Sequence, residues 1–271
     1  MLTVIIPANN EAGFIGACLT ALFDSGPIGA EAIVVANGCT DDTATVARGF
    51  ANMAAAAGWG FSVIERTKGG KPGALNQGQA AAKGTIFAYL DADVQVSPPL
   101  MAQLIESLQQ QQPTYATGTA QIPRAQSFVT RAYARFWQRL PFATSNAPGY
   151  GLFAVNAAGR ALWGDFPAII SDDTFVRLHF SPDQRAQTPA PYDWPMIEGF
   201  AALTRVRRRQ DAGVAEINKL YPGLMAHEDK PALTAAALAG LALRDPIGFS
   251  IYAAVSLAVR FGRSSGWTRG R

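Results

Sequence analysis

The sequence predicts an α/β fold whose first part binds a nucleotide and whose second part binds a substrate. Short apolar runs alternate with helical patterns over about residues 1–112, which favours parallel strands joined by right-handed crossovers. Polar loops follow several of these runs, and open α/β sheets bind ligands beyond the carboxyl ends of their strands. With 271 residues and 49% hydrophobic content, the chain can bury a sizeable core in one large domain, with or without an appendage.

The individual elements are predicted from apolar periodicity and from breaker residues. Strands of the first part fall at residues 2–6, 31–36, 61–64 and 85–90. Helices follow them at residues 11–24, 40–57, 72–83 and 99–110. Beyond about residue 113 the pattern becomes irregular, with strands at 115–120 and 149–156 and helices at 125–140, 172–180, 232–243 and 247–259.

The composition argues against several classes of protein. A net charge of +3 is too small to indicate a nucleic-acid partner. Cys18 and Cys39 are too few for a disulfide scaffold and indicate reduced cytosolic thiols. Residues 1–7 have no basic region and no small-residue cleavage site, so they predict a first strand rather than a signal peptide. We therefore expect a cytoplasmic protein.

The most informative motif is Asp91-Ala92-Asp93, which directly follows the apolar run at residues 86–90. Carboxylates at positions i and i+2 of an extended chain point to the same side and would repel each other. Mg²⁺ or Mn²⁺ removes that repulsion, and such an ion takes its remaining ligands from water and substrate phosphates. The motif therefore predicts a metal-bridged nucleoside diphosphate, with a turn or a helix cap as the structural alternative.

Two further loops carry polar side chains at the same predicted edge of the sheet. In the loop at residues 7–11, Glu11 fits either a ligand contact or a favourable helix start. In the loop at residues 36–43, Asn-Gly turns the chain and the following Thr and Asp residues can cap a helix. Capping does not account for Asn37, which makes it a candidate ligand contact.

A glycine-rich basic loop spans residues 68–76 and opens a helix. Such a loop can hold a phosphate group at the helix start. It lacks the Walker spacing, and no Gly-x-Gly-x-x-Gly follows the first strand. A P-loop and a nicotinamide or flavin site are therefore disfavoured.

Four motifs in this order together resemble family 2 of the inverting nucleotide-sugar glycosyltransferases. They lie at residues 4–11, 34–43, 71–76 and 90–93, within about the first hundred residues. The resemblance implies a GT-A-like fold, with a mixed, mostly parallel nucleotide-binding sheet flanked by helices and with a short accessory sheet. It also implies a nucleotide-activated sugar donor held by Mn²⁺ or Mg²⁺.

The family pattern assigns donor-site roles to seven residues. It places the donor base and ribose against Pro7, Ala8, Glu11 and Asn37. Lys71 matches the lysine near the base and phosphates, Asp91 matches the residue nearer the ribose, and Asp93 matches the metal ligand, with Asp91 beside it. Many members have aspartate where Asn37 stands, and an amide can still bond a base edge. A UDP-sugar is therefore the first candidate donor.

The second half supplies the base that inversion requires. Residues 170–175 resemble the family's acidic signature, whose second acid takes the proton of the acceptor hydroxyl. Asp173 is assigned that role and Asp172 a place near the acceptor or diphosphate, with helix capping as the alternative. Residues 145–151 resemble an acceptor-side glycine segment, in which Gly149 allows close approach and Tyr150 stacks on a sugar. An ordinary turn before a strand explains the same residues.

The densest charge run includes Arg207, Arg208 and Arg209. Processive family members carry Gln-x-x-Arg-Trp in this region, and no tryptophan follows here, so processive polymer synthesis is disfavoured. An arginine side chain can bind the phosphate oxygens of the leaving diphosphate. The alternative is that these arginines form a charged helix face in contact with water.

The C-terminal extension contains two apolar segments, each of about 12–13 residues, that Arg244-Asp245-Pro246 separates. Both are shorter than the roughly 20 residues that span a bilayer. They predict either two packing helices or attachment to a membrane surface through aromatic and basic residues, and attachment is favoured. The residues in that expectation are Phe249, Tyr252, Trp267, Arg260, Arg263, Arg269 and Arg271.

Together these features predict a metal-dependent inverting glycosyltransferase that acts on a glycan or lipid-linked acceptor, at the inner face of the membrane if attached. We expect a catalytic domain at residues 1–225, with halves at 1–112 and 113–225, and a helical extension at 226–271. A sugar-phosphate nucleotidyltransferase is the enzymatic alternative, although it would place a basic glycine-rich loop after the first strand. A nucleotide-sugar-binding scaffold without activity is the non-enzymatic alternative.

Overall fold

The computed structural model describes residues 1–26, 29–143 and 147–261. These residues form one eight-stranded mixed sheet with the order β3-β2-β1-β4-β7-β6-β8-β5. The strands are β1 Leu2–Ala8, β2 Glu31–Asn37, β3 Gly60–Arg66, β4 Ile86–Leu90, β5 Gln95–Val96, β6 Tyr115–Gln121, β7 Leu152–Asn156 and β8 Arg185–Asp193. The predicted α/β class and the mixed, mostly parallel sheet are confirmed. β1 pairs in parallel with β2 and with β4, and β2 pairs in parallel with β3. β7 pairs antiparallel to β4 and β6.

Helices cover both faces of the sheet. Those of the first half are α1 Ile15–Asp24, α2 Thr43–Arg48, α3 Ala51–Ala56, α4 Lys71–Ala81 and α5 Leu100–Ser107. Those of the second half are α6 Phe128–Trp137, α7 Ala157–Arg160, α8 Asp172–Arg177 and α9 Phe200–Leu220. The C-terminal helices are α10 Ala235–Arg244 and α11 Pro246–Phe261.

The core lies on both faces of the sheet because successive strand residues point to opposite sides. Val4 and Ile6 of β1 pack into one cluster with residues of α1, whereas Ile5 packs into the cluster on the other face with Leu75 of α4. All residues of β1, β4 and β7 are buried. Continuous burial explains why these strands are runs of apolar residues without alternation.

Three features differ from the expected secondary structure. The expected helix at 40–57 is two short helices, α2 and α3, with a break at Gly49 and Phe50. The expected accessory sheet is absent from the described residues, because β5 pairs with the end of β8 and so joins the main sheet. The long strand β8 and the 21-residue helix α9 were not predicted. Two prolines, Pro189 and Pro191, and the polar Gln187 and Thr188 interrupt the apolar alternation of β8, so its strand pattern is not visible in the sequence.

The two C-terminal helices pack against the second half of the domain. Val255 of α11 lies in a cluster with Tyr133 of α6 and Leu203 of α9. Asp245, between the helices, accepts hydrogen bonds of 2.7 Å from both Nε and Nη2 of Arg135. Within the described residues, no helix is both long and apolar enough to cross a bilayer.

Candidate active site

The loops after β1 and β2 are joined by side-chain hydrogen bonds at the carboxyl edge of the sheet. Asn9 donates to the backbone carbonyls of Asn37 and Gly38, the latter at 3.1 Å. The hydroxyl of Thr43 accepts the amide hydrogen of Glu11 at 2.8 Å. These bonds hold two of the predicted donor-binding loops together, so that they form one wall.

The side chain of Asn37 makes its hydrogen bonds within the protein. It is 2% exposed, and its amide group donates to the carbonyls of Ala8, at 2.8 Å, and Val35, at 3.3 Å. Its carbonyl oxygen accepts the amide hydrogen of Gly70 at 2.9 Å. A contact of Asn37 with a base edge stays a prediction, and in this structure both ends of its amide already have protein partners. Its side chain ties β1 to the basic loop, since a buried amide needs partners for its hydrogens.

The acidic pair after β4 lies beside a buried thiol. Cys18 donates a sulfur hydrogen bond to the carbonyl of Asp91 at 3.7 Å and is 1% exposed. Burial raises the pKa of Cys18 far above its usual range, and the charges of Asp93, Asp91 and Glu11 raise it further. The three carboxylates are therefore close neighbours at this edge, as the sequence predicted for Asp91 and Asp93.

Lys71, the first residue of α4, connects the donor half to the second half. Its Nζ lies 2.8 Å from Oδ1 of Asp91 and 3.1 Å from Oδ2 of Asp172. Burial alone would lower the pKa of Lys71, but Asp172, Asp91 and Asp173 together raise it well above its usual value. Burial also raises the pKa of Asp172, whose side chain is 6% exposed, and Lys71 opposes that effect. The ammonium group thus neutralises an acidic cluster built from both halves.

A cleft of about 240 Å³ opens between these groups. It is lined by Pro7, Lys71, Leu75, Tyr89, Leu90, Asp91, Gly149, Gly151, Phe153 and Asp173. Five of these were predicted from the sequence as site residues, and they come from both halves of the chain. Ala8, another predicted residue, is fully buried in β1 behind the cleft.

A second cleft of about 310 Å³ adjoins the first at Asp173. It is lined by Phe142, Pro148, Tyr150, Asp173, Thr174, Arg177 and Lys230. Asp173 borders both clefts, and its Oδ1 accepts the amide hydrogen of Thr174 at 2.7 Å. A carboxylate between two clefts can take a proton from a group in one while a reaction occurs in the other.

The glycine segment before β7 contributes residues to the lining of both clefts. Gly149 has φ +70°, and a Cβ atom there would lie 1.9 Å from the hydroxyl oxygen of Tyr115. Tyr150 lines the second cleft, but its ring also stacks on Trp194 at 4.9 Å between centroids. Ser145 and Asn146, which open the predicted segment, lie outside the described residues.

No arginine of α9 lines either of the two clefts. Arg207 pairs with Asp211 at 3.0 Å, and Arg208 donates to the carbonyls of Ala258 and Val259 in α11. Arg209 lies in the same helix and lines neither cleft. The prediction that this run holds the diphosphate is not supported by these positions, because α9 directs Arg208 toward the C-terminal helix instead.

Two cationic residues of the second cleft were missed in the sequence. Arg177 follows Asp173 by four residues, so one turn of α8 carries both, and this spacing was a usable signal. Lys230 follows α9 in a loop, and no local pattern marks it. Of the predicted membrane residues, Arg263, Trp267, Arg269 and Arg271 lie outside the described residues.

The acidic pair fits a divalent cation that also binds a substrate. No group of three or more His, Cys, Asp or Glu side chains in the described ranges is arranged to hold a metal ion unaided. Mg²⁺ and related hard ions are commonly held by one or two carboxylates and complete their shell with phosphates and water. Asp91 and Asp93 supply such a donor set at the strand end.

A mixed sheet with acidic side chains and polar loops at one edge is the architecture of GT-A glycosyltransferases, and the sequence comparison agrees with it. Residues 3–163 match glycosyl transferase family 2, and this match covers more than half of the chain. The protein belongs to glycosyl transferase family 2.

Curated relatives match a limited part of the chain. It is 30% identical over 112 residues to the uncharacterized glycosyltransferase EpsJ of Bacillus subtilis, covering 41% of this chain and 31% of that protein. It is 36% identical over 107 residues to the uncharacterized glycosyltransferase Mb0553 of Mycobacterium bovis, covering 38% of this chain and 43% of that protein. The chain thus spans less than half the length of these relatives.

Solved structures share the fold over nearly the whole chain. The mannosyltransferase PcManGT from Pyrobaculum calidifontis, in complex with GDP-Man and Mn²⁺, gives a TM-score of 0.62 at 23% identity over 97% of this chain and 76% of that one. TarS from S. aureus, in complex with UDP, gives 0.55 at 12% identity over 97% and 92%. Glucosyl-3-phosphoglycerate synthase from Mycobacterium tuberculosis, with Mn²⁺, UDP and glucosyl-3-phosphoglycerate, gives 0.52 at 20% identity over 84% and 81%.

Proposed function

We propose that this protein transfers a sugar, with inversion, from a nucleoside-diphosphate sugar to an acceptor hydroxyl. The observation that carries the proposal is the position of Asp173 on the border of both clefts. The donor occupies the first cleft and the acceptor occupies the second. The carboxylate of Asp173 takes the hydroxyl proton as the acceptor oxygen bonds to the anomeric carbon and the bond to the diphosphate breaks.

The first cleft stabilises the leaving nucleoside diphosphate. Lys71 offers its ammonium group to the phosphates, and Pro7 in the cleft lining borders the base and ribose. Asp93 and Asp91 would hold Mn²⁺ or Mg²⁺, which supplies electrostatic stabilisation of the departing charge. The metal-bound nucleotide complexes of the structural neighbours support this metal use, and uridine remains the first candidate base.

Asp173→Asn tests the assignment of the base. It keeps the shape of the side chain but removes the proton acceptor, so transfer should fall by a factor of about 10²–10⁴. Calorimetric binding of the nucleotide should change little. Asp165→Asn, an exposed carboxylate outside both cleft linings, is the matched control. Full activity in Asp173→Asn would refute the assignment.

Titration of UDP, GDP and dTDP, each with and without Mn²⁺, tests the donor site. Manganese-dependent binding of one nucleotide that is lost in Asp93→Ala would support the site and select the donor class. Binding of none by folded protein would favour the scaffold alternative. Release of pyrophosphate instead of a nucleoside diphosphate would favour a nucleotidyltransferase.

We also propose that α10 and α11 contact an anionic membrane surface. Leu243 at the end of α10 is 85% exposed, and in α11 Phe261 is 81% exposed and Ile247 is about half exposed. The exposed side chains of Arg244 and Arg260 flank them, and apolar residues beside arginines fit a lipid surface with negative headgroups.

Sedimentation with lipid vesicles tests this contact. We expect binding to vesicles that contain anionic lipid and weak binding to neutral ones, with loss in Leu243→Asp. Leu162→Asp alters an exposed leucine away from these helices and should bind as the wild type does. Self-association of the wild type in solution that Leu243→Asp abolishes, without vesicle binding, would show instead that the apolar side chains meet a second copy.

A further inference from the structure

The second cleft has a charge pattern that the transfer reaction by itself does not require. Besides Asp173, its charged lining residues are Arg177 and Lys230, and its remaining lining is largely aromatic and aliphatic. A neutral sugar can be held by uncharged hydrogen-bonding groups and does not require two cations beside the base. The charges therefore bear on which acceptors fit.

The two cations belong to an ion-pair network with Glu228, Asp229 and Arg185. Nη1 of Arg177 lies 3.1 Å from Glu228, and Nζ of Lys230 lies 3.2 Å from the other oxygen of Glu228. Asp229 pairs with both Arg177 and Arg185, the latter at 2.8 Å. This network holds three cations and two carboxylates, and Asp173 lines the same cleft as a third carboxylate.

Arg177, which lines the second cleft, has a buried hydrogen-bond donor. Arg177 is 3% exposed, and among the described residues its Nε has no hydrogen-bond partner. A buried donor without an acceptor is destabilising, and a charged donor more so. An anionic oxygen is the kind of acceptor that a guanidinium binds best.

We propose that the second cleft selects an anionic acceptor, in which a phosphate or carboxylate group lies near the hydroxyl that is glycosylated. Lys230 and Arg177 hold the anionic group, while Tyr150 and Phe142 contact the carbon skeleton. This inference rests on the proposed function, because it takes the cleft beside Asp173 to be the acceptor site. Phe142 packs against the same apolar cluster as Leu233 and Leu238, which lie at the C-terminal part of the chain.

The test is direct binding, which needs no turnover. Calorimetry compares sn-glycerol 3-phosphate with glycerol, in the wild type and in Lys230→Gln, with UDP and Mn²⁺ present to fill the first cleft. We expect saturable binding of the phosphate ester only, weakened about tenfold in Lys230→Gln. Lys219→Gln, which alters an exposed lysine of α9, should bind as the wild type does.

A second arm separates the two sources of such a phosphate. Dodecyl phosphate carries the same anion on an apolar chain, and Lys230→Gln should weaken its binding as well. Tighter binding of dodecyl phosphate than of glycerol 3-phosphate would identify a lipid headgroup as the acceptor class. Equal or weaker binding would identify a free phosphate ester. Both results support an anionic acceptor.

Other outcomes separate this inference from the proposed function. If neither phosphate binds, or if both bind Lys230→Gln as they bind the wild type, the inference is wrong, whatever the enzyme transfers. If phosphate binding depends on Lys230 but no nucleotide binds, the anion site stands and the transferase proposal fails. Asp173→Asn should bind glycerol 3-phosphate more tightly, because a neighbouring negative charge is removed.

Discussion

The ammonium group of Lys71 lies 2.8 Å from the carboxylate of Asp91, and the same group lies 3.1 Å from Asp172. One cation thereby joins the strand end of the donor half to the helix that carries Asp173. In the donor complex that we propose, the same lysine would face the diphosphate, which would link binding of the donor to the position of Asp173. Without Lys71, two carboxylates would face each other at low exposure, which is unfavourable.

Lys71→Met should therefore impair both binding and transfer. We expect kcat/KM to fall by a factor of about 10²–10³, the usual loss when a group that stabilises developing charge is removed. Kinetics and nucleotide calorimetry measure the two effects. Lys68→Met, in the same basic loop but exposed, is the matched control. Equal losses in both variants would mean that only the overall charge of the loop matters.

Gly149→Ala should destabilise the protein. Its φ of +70° disfavours a side chain, and the new Cβ would lie 1.9 Å from the hydroxyl oxygen of Tyr115. We expect the free energy of unfolding to fall by about 2–4 kcal/mol in chemical denaturation. Gly164→Ala, where no atom lies within 4 Å of the new Cβ, should change it by less than about 0.5 kcal/mol.

The hydroxyl of Tyr115 allows a rescue of Gly149→Ala. This buried group has no hydrogen-bond partner among the described residues, so Tyr115→Phe alone should be nearly neutral or stabilising. In the double variant the closest clash disappears, and about half of the lost stability should return. Strictly additive effects would contradict the contact between these two residues.

Asp245→Asn should weaken the attachment of the C-terminal helices. The hydrogen bonds from Arg135 lower the pKa of Asp245 from its ordinary 3.8 to about 2, against the opposing effect of burial. Because the folded-state pKa is lower, the carboxylate stabilises the fold above pH 3.8, and this contribution is lost as the pH falls through about 2. Near neutral pH we expect the variant to lose about 1.5–3 kcal/mol of unfolding free energy.

The same variant has a clear control and pH signature. Asp211→Asn breaks the i,i+4 pair with Arg207, but Asp211 is 53% exposed, so its effect should stay below about 0.5 kcal/mol. Denaturation of wild type and Asp245→Asn over a pH series should show curves that converge toward pH 2. A difference that is constant over the whole range would exclude the ionised carboxylate as its source.

The two cysteines should differ sharply in reactivity. Burial, together with Asp93, Asp91 and Glu11, raises the pKa of the Cys18 thiol, so little thiolate forms there, whereas Cys39 is partly exposed. In the native protein we expect Ellman's reagent to titrate one thiol quickly, and both only after unfolding. Cys39→Ser should remove the fast phase. A remaining fast phase would show that Cys18 is accessible.

The sequence by itself determined the class of fold and the acidic strand end. The apolar runs of β1, β2 and β4 were predicted within two residues, because complete burial of a strand leaves a local signature. Asp91 directly follows β4 as expected, but residues 92–93 form a turn, closed by the hydrogen bond of 3.1 Å from the amide of Val94 to the carbonyl of Asp91, and not the extended chain from which same-side carboxylates were predicted. The assigned roles of the site residues, and the domain boundaries at 112 and 225, stay predictions.

Only the tertiary structure decided which distant residues meet. The pairing of Lys71 with Asp172, the burial of Asn37 and the turn of Arg208 toward α11 each join segments that are far apart in the sequence. The amide group of Asn37 can form the same kinds of hydrogen bond with a nucleotide base as with backbone groups. In this structure the packing of the neighbouring loops places backbone groups next to this amide. The local sequence pattern does not predict that packing.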